Sequence, residues 1–83
     1  MARDPKMTAY DPEMVAHFKK VAAKIARLRL ALGLNQKELG ELAGLGQSSI
    51  NQMENGGKLP SMKSLWRLSK ALGCHPHELL MVE

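Results

Sequence analysis

Residues 36–55 read QKELGELAGLGQSSINQMEN, and this stretch decides the fold. Gln36 to Ala43 has the composition of a short helix. Gly44-Leu45-Gly46 forms a tight turn, because glycine adopts the left-handed backbone that ends a helix without steric cost. Gln47 to Asn55 reads as a second helix. Two helices joined by so short a turn cross steeply, at about 90–120°, and touch near the middle of the first. Gly40 falls at that contact, where a large side chain would hold them apart. Glycine costs about 1 kcal/mol against alanine inside a helix, so its presence calls for a packing reason. Leu39, Ala43, Leu45, Ile50 and Met53 are predicted to fill the space between the two helices and the rest of the molecule.

The second helix has two distinct sides. At about 100° per residue, Ile50 and Met53 share one side. Gln47, Ser48, Asn51, Gln52 and Asn55 share the other, which is polar throughout yet uncharged. A face meant only for solvent usually carries Lys and Glu, which favour helix more. Asn and Gln can instead pair bidentately with adenine through N6 and N7, and Ser can donate or accept at several base edges. The arc therefore has the chemistry of a base-reading surface.

Working outward, Asn35 caps the helix at Gln36, and Glu38 three residues later completes a capping-box pattern. Before it, Asp11-Pro12-Glu13 marks a helix start: an acidic N-cap, proline in the first turn, then an acid. That helix runs to about Leu32 and stops at Gly33. Met14, Phe18, Val21, Ile25, Leu28 and Leu32 recur along it at helical spacing. After the 36–55 unit, Pro60-Ser61 precedes a fourth helix, about 61–72, with Met62, Leu65, Leu68 and Leu72 expected inward and Gly73 ending it. Pro76 begins a short fifth helix through Leu79, Leu80 and Met81. No alternating strand pattern appears. The fold class expected is an all-α, five-helix bundle with an extended first helix. Residues 1–11 read as a flexible N-terminal arm and 12–83 as a single domain.

Composition narrows the function. An 83-residue chain buries only roughly 60–65% of its unfolded surface, so one domain with a thin core is expected. A single cysteine, Cys74, excludes an intrachain disulfide and suits a reducing cytoplasm. No apolar run approaches the roughly 20 residues of a membrane span, and no membrane partner is expected. The net charge of +4 suits a polyanionic partner. Cys74, His75 and His77 crowd around a proline in no established zinc spacing, so no metal and no other cofactor is expected. Ser48 and Ser49 have no paired His and Asp pattern, and enzymatic activity is not expected. The glycines at 40, 44 and 46 precede no Gly-Lys-Ser/Thr, which excludes a P-loop.

The stretches RLALGLNQKEL, GQSSINQMENG and LSKALGCHPHELL resemble the Cro and phage-repressor (XRE-like) family of helix-turn-helix transcriptional regulators. The resemblance covers about Val21 to Met81. It implies a lambda-repressor-like bundle, with double-stranded DNA as partner. By position, Gln36 matches a glutamine that contacts phosphate and braces the recognition helix. Gln47, Ser48 and Gln52 match base-facing positions, and Asn51 lies on the same arc. Asn55 matches a phosphate-contacting loop, and Lys58 follows it. Arg29 and Glu54 match a partly buried structural ion pair. Gly40 stands where the family more often has alanine, and is expected to loosen the unit.

The function expected is therefore a sequence-specific regulator, a repressor by default, that binds a near-palindromic operator as a homodimer. Met14, Val15 and Phe18 extend the apolar stripe beyond the usual domain, which marks them as a subunit or protein-partner interface. Two alternatives stand beside this reading. One is an antitoxin-like regulator that uses those three residues to bind a protein partner. The other is an interaction module that keeps the fold without binding DNA.

Overall fold

The computed structural model describes residues 11–82, which form five helices and, among the described residues, no strands. They are α1 Pro12–Ala31, α2 Gln36–Ala43, α3 Gln47–Glu54, α4 Met62–Leu72 and α5 Pro76–Leu80. The expected arm lies outside the described residues, apart from Asp11. That residue belongs to the helix, not the arm: its Oδ1 accepts the Glu13 N–H at 2.9 Å as the N-cap of α1.

The helix ends follow from local chemistry. Asn35 and Glu38 cap α2 reciprocally, each side chain accepting the other's backbone N–H, at 2.7 and 2.9 Å. Gly44 ends α2 at φ +69, in the left-handed region where glycine is unstrained. Ser61 caps α4 by accepting from the Ser64 N–H at 3.1 Å.

The core joins all five helices. Val21 and Ile25 of α1, Leu39 and Ala43 of α2, Ile50 and Met53 of α3, Leu65, Leu68 and Leu72 of α4, and Leu79 of α5 pack as one cluster. Leu28 and Leu45 pack against it, partly buried. Full burial of one such side chain stabilises by roughly 1.5–3 kcal/mol, so this shared centre is the main attraction between the five helices. The short last helix is also tied to the first. Lys24 Nζ donates to the Glu78 carbonyl, and to the Met81 carbonyl at 2.9 Å, satisfying acceptors at the end of α5.

Three expectations change. Met62 does not face inward but is 81% exposed, because it opens α4 ahead of the turn that meets the core. Leu32 shares the inward angle of the α1 stripe yet is exposed, because α1 ends at Ala31 and Leu32 is its C-cap. Gly40 does not loosen the helix pair. It is buried, and the Leu45 carbonyl oxygen lies 2.5 Å from where a Cβ would stand. The missing methyl lets the turn close on α2, and the Leu45 N–H donates to the Gly40 carbonyl at 2.8 Å.

Candidate nucleic-acid interface

The α3 helix is held from beneath and open above. Ile50 is fully buried and Met53 nearly so. Gln47, Ser48, Asn51 and Gln52 are all exposed, as is Asn55 at the C-cap. The N-cap is Gly46, in extended conformation, with no side chain bonded to the first turn. The leading N–H groups of α3 are thus free of side-chain caps, at the positive end of the helix dipole. That end suits an acceptor-rich or anionic ligand.

Behind this face lies an ion pair. Arg29 donates from Nε to Glu54 Oε2 at 2.7 Å and from Nη2 to Oε1 at 2.9 Å. The two side chains are only 11% and 5% exposed. Arg29 Nη1 also donates to the Leu34 carbonyl at 2.7 Å. One guanidinium therefore fixes α1 to the end of α3 and to the loop that enters α2. The hydrogen bond to Glu54 raises the Arg29 pKa above its ordinary value; burial opposes this, and the charge of Glu54 adds to it. The pair remains ionised on the arginine side throughout the neutral range.

Gln36 joins the ion pair to the exposed face. Its Nε2 donates to Glu54 Oε1 at 3.2 Å, and its Oε1 accepts from Asn51 Nδ2 at 3.2 Å. Asn51 Oδ1 in turn accepts from Asn55 Nδ2 at 3.0 Å. Of the residues singled out in the sequence, Arg29, Glu54, Gln36, Asn51 and Asn55 thus share one connected network. Gln47, Ser48 and Gln52 lie beside it on α3, with no side-chain hydrogen bonds to the described residues.

The loop after α3 turns at Gly56, with φ +77. A Cβ there would stand 3.5 Å from Lys19 Cγ and 3.9 Å from its Cα. The early part of α1 therefore runs beside this loop, and Lys19, like Lys58, is exposed there. Helical periodicity gives the side of α1 on which Lys19 lies but not what passes next to it.

The remaining candidates are elsewhere. Met14 and Phe18 are half-buried and Val15 is 39% exposed; none belongs to the core cluster. His75 and His77 stack with ring centroids 5.6 Å apart. Among the described residues, no three His, Cys, Asp or Glu side chains gather where they could hold a metal ion. Burial pushes the Cys74 thiol pKa up, the nearby Glu78 charge adds to this, and Lys24 opposes it.

Residues 25–79 match the profile of the helix-turn-helix family HTH_3. The chain belongs to that family of DNA-binding transcriptional regulators, of the Cro/C1 type. It is 36% identical, over 62 residues, to the uncharacterized HTH-type transcriptional regulator y4dJ of Sinorhizobium fredii, covering 75% of this chain and 80% of that one. Its fold is similar to the restriction-modification controller protein C.AhdI from Aeromonas hydrophila, with TM-score 0.74 and 34% identity, over 77% of this chain and 97% of that one. It is also similar to the DNA-binding domain of the P22 c2 repressor, with TM-score 0.71 and 33% identity, over 76% and 83% of the two chains. The matched region begins within α1, so residues 12–24 add to the helix-turn-helix unit a segment outside the family profile. No helix among the described residues is long and apolar enough to cross a membrane.

Proposed function

We propose that the protein is a sequence-specific regulator that acts in the cytoplasm and binds a near-palindromic operator as a homodimer, repressing by occupancy. The observation that carries this is the α3 face: five exposed, uncharged polar side chains on a helix anchored by Ile50 and Met53. In this reading α3 enters the major groove, and Gln47, Ser48, Asn51 and Gln52 read base edges. Gln36, Asn55 and Lys58 contact phosphate and set the register, with Lys19 added from α1. Two copies would present their α3 helices to half-sites about 34 Å apart. Met14, Val15 and Phe18 are proposed as the subunit interface, and the fold gives them no place in the core.

Binding measured against salt tests this reading. Each neutralised phosphate contributes about −0.9 to the slope of log K against log salt. Lys58→Ala or Lys19→Ala should lower the slope by about one per site and weaken all sequences alike. Gln52→Ala should leave the slope unchanged and relax preference at one base pair by roughly 1–3 kcal/mol. Equal loss on every sequence for Gln52→Ala would contradict base reading. Val15 also offers a second reading, as a contact for a protein partner. Unchanged sedimentation after Met14, Val15 and Phe18 are replaced by polar residues would remove the subunit role and favour that reading.

A further inference from the structure

The amides at the exposed end of the network are linked in one direction. Glu54 Oε1 accepts from Arg29 Nη2 at 2.9 Å and from Gln36 Nε2 at 3.2 Å. A carboxylate can only accept. Gln36 must therefore turn its NH₂ inward and its carbonyl outward. An outward carbonyl also can only accept, so Asn51 answers with Nδ2, at 3.2 Å. The Asn51 carbonyl is then left to accept from Asn55 Nδ2, at 3.0 Å. An exposed amide outside such a chain has two orientations, related by a half-turn, that exchange its donor and acceptor ends. Here one charge at the buried end removes that choice from three side chains in succession. The anchor cannot swing away, because Arg29 holds both carboxylate oxygens and is itself fixed to the Leu34 carbonyl.

We propose that Glu54 is a positioning residue that sets the hydrogen-bond polarity of the recognition surface and so determines, through Gln36, which base edges Asn51 can pair with. The inference rests on the DNA-reading role given to α3. With the polarity fixed, Gln36 and Asn51 turn their NH₂ groups toward the buried end, and the Asn51 carbonyl faces the other way with one lone pair left after the bond from Asn55. Asn51 then favours a base presenting an amino donor in the major groove, adenine N6 or cytosine N4. Glu54 never touches DNA in this arrangement, yet it contributes to the choice of sequence.

Two substitutions at Gln36 test this without disturbing the Arg29–Glu54 pair. Gln36→Met keeps the length but cuts the link, which frees the Asn51 amide to turn over. Gln36→Lys still donates to Glu54 but can offer Asn51 only N–H groups, so Asn51 must answer with Oδ1 and the polarity beyond it inverts. The full chain and both variants are taken through selection from random duplex DNA. Gln36→Met is expected to flatten the preference at one base pair per half-site by five-fold or more. Gln36→Lys is expected to change the preferred base at that same position, toward one presenting only acceptors in the major groove, guanine or thymine, and to leave the other positions alone. If Gln36 only braced the helix, both variants would lose affinity with identical base preferences, and that result overturns the proposal.

Side-chain amide NMR of the DNA-free proteins supplies a reading that does not depend on DNA. The Asn51 NH₂ pair should lie away from free-amide positions in the unsubstituted chain and collapse onto them in Gln36→Met, with the backbone spectrum otherwise kept. Free-amide positions in the unsubstituted chain would overturn the relay itself. Failure of the unsubstituted chain to select any sequence would instead refute the DNA-reading role, a result distinct from unchanged preferences in the variants.

Discussion

Removing one partner of the Arg29–Glu54 pair should come close to unfolding the protein, whereas replacing both should not. Glu54→Ala leaves a guanidinium in a site where the arginine side chain is 11% exposed. It deletes three hydrogen bonds, two from Arg29 at 2.7 and 2.9 Å and one from Gln36 at 3.2 Å. Breaking a buried pair in this way costs about 3–5 kcal/mol, most of it from the charge left behind. At about 0.05–0.15 kcal/mol per residue, a chain of 83 residues has only about 4–12 kcal/mol in total. The single variant therefore loses from about a quarter to all of its stability. Arg29→Met with Glu54→Leu removes both charges and fills the same space, and such replacements are often neutral or better. The double variant should be more stable than either single one. Urea unfolding of the unsubstituted chain, Arg29→Met, Glu54→Leu and the double variant, followed by circular dichroism, closes the cycle. Single variants that each lose under about 1 kcal/mol would show the pair behaving as a solvated one and would refute its role as the fastening between α1 and α3.

Three further outcomes follow from the packing. Gly40→Ala gains about 1 kcal/mol of helix propensity but brings a methyl to 2.5 Å from the Leu45 carbonyl. Overpacking of about 1–3 kcal/mol should outweigh that gain and lower the melting temperature; a rise would show that the turn yields freely. Lys24→Met strips the donor from the Glu78 and Met81 carbonyls, and hydrogen exchange should speed up in α5 while α2 and α3 are unaffected. Cys74 has a raised pKa from burial, so the thiolate is scarce in the folded state. Alkylation near neutral pH should be several-fold slower in the folded protein than in urea, and equal rates would contradict the burial. The sign of the linkage is fixed by the direction of the shift. The thiol's contribution to stability is present below its ordinary pKa and lost as pH rises through the raised folded value.

Much of this arrangement was legible in the chain because local rules and global packing agree. The Asn35–Glu38 box, the Gly44 turn and the Ile50–Met53 side of α3 each follow from residues a few positions apart, and the structure has all three. Where neighbours distant in sequence decide, periodicity fails. Met62 and Leu32 have the right spacing for burial, yet each sits at a helix end that the core does not reach. Composition shows Gln36, Asn51 and Asn55 as polar residues on adjacent helices. Their order of donation becomes visible only when Glu54, eighteen residues from Gln36, is seen to anchor it. The nearness of Lys19 to Gly56 likewise depends on how α1 lies across the bundle.

The central claim is that the α3 face reads DNA sequence, and selection from random duplex DNA with the full chain, at near-physiological salt, tests it most directly. The account predicts enrichment of a near-palindrome whose half-sites are about one helical turn, roughly 34 Å, apart. A folded protein that enriches no sequence, while binding duplexes weakly and indifferently or not at all, would contradict it.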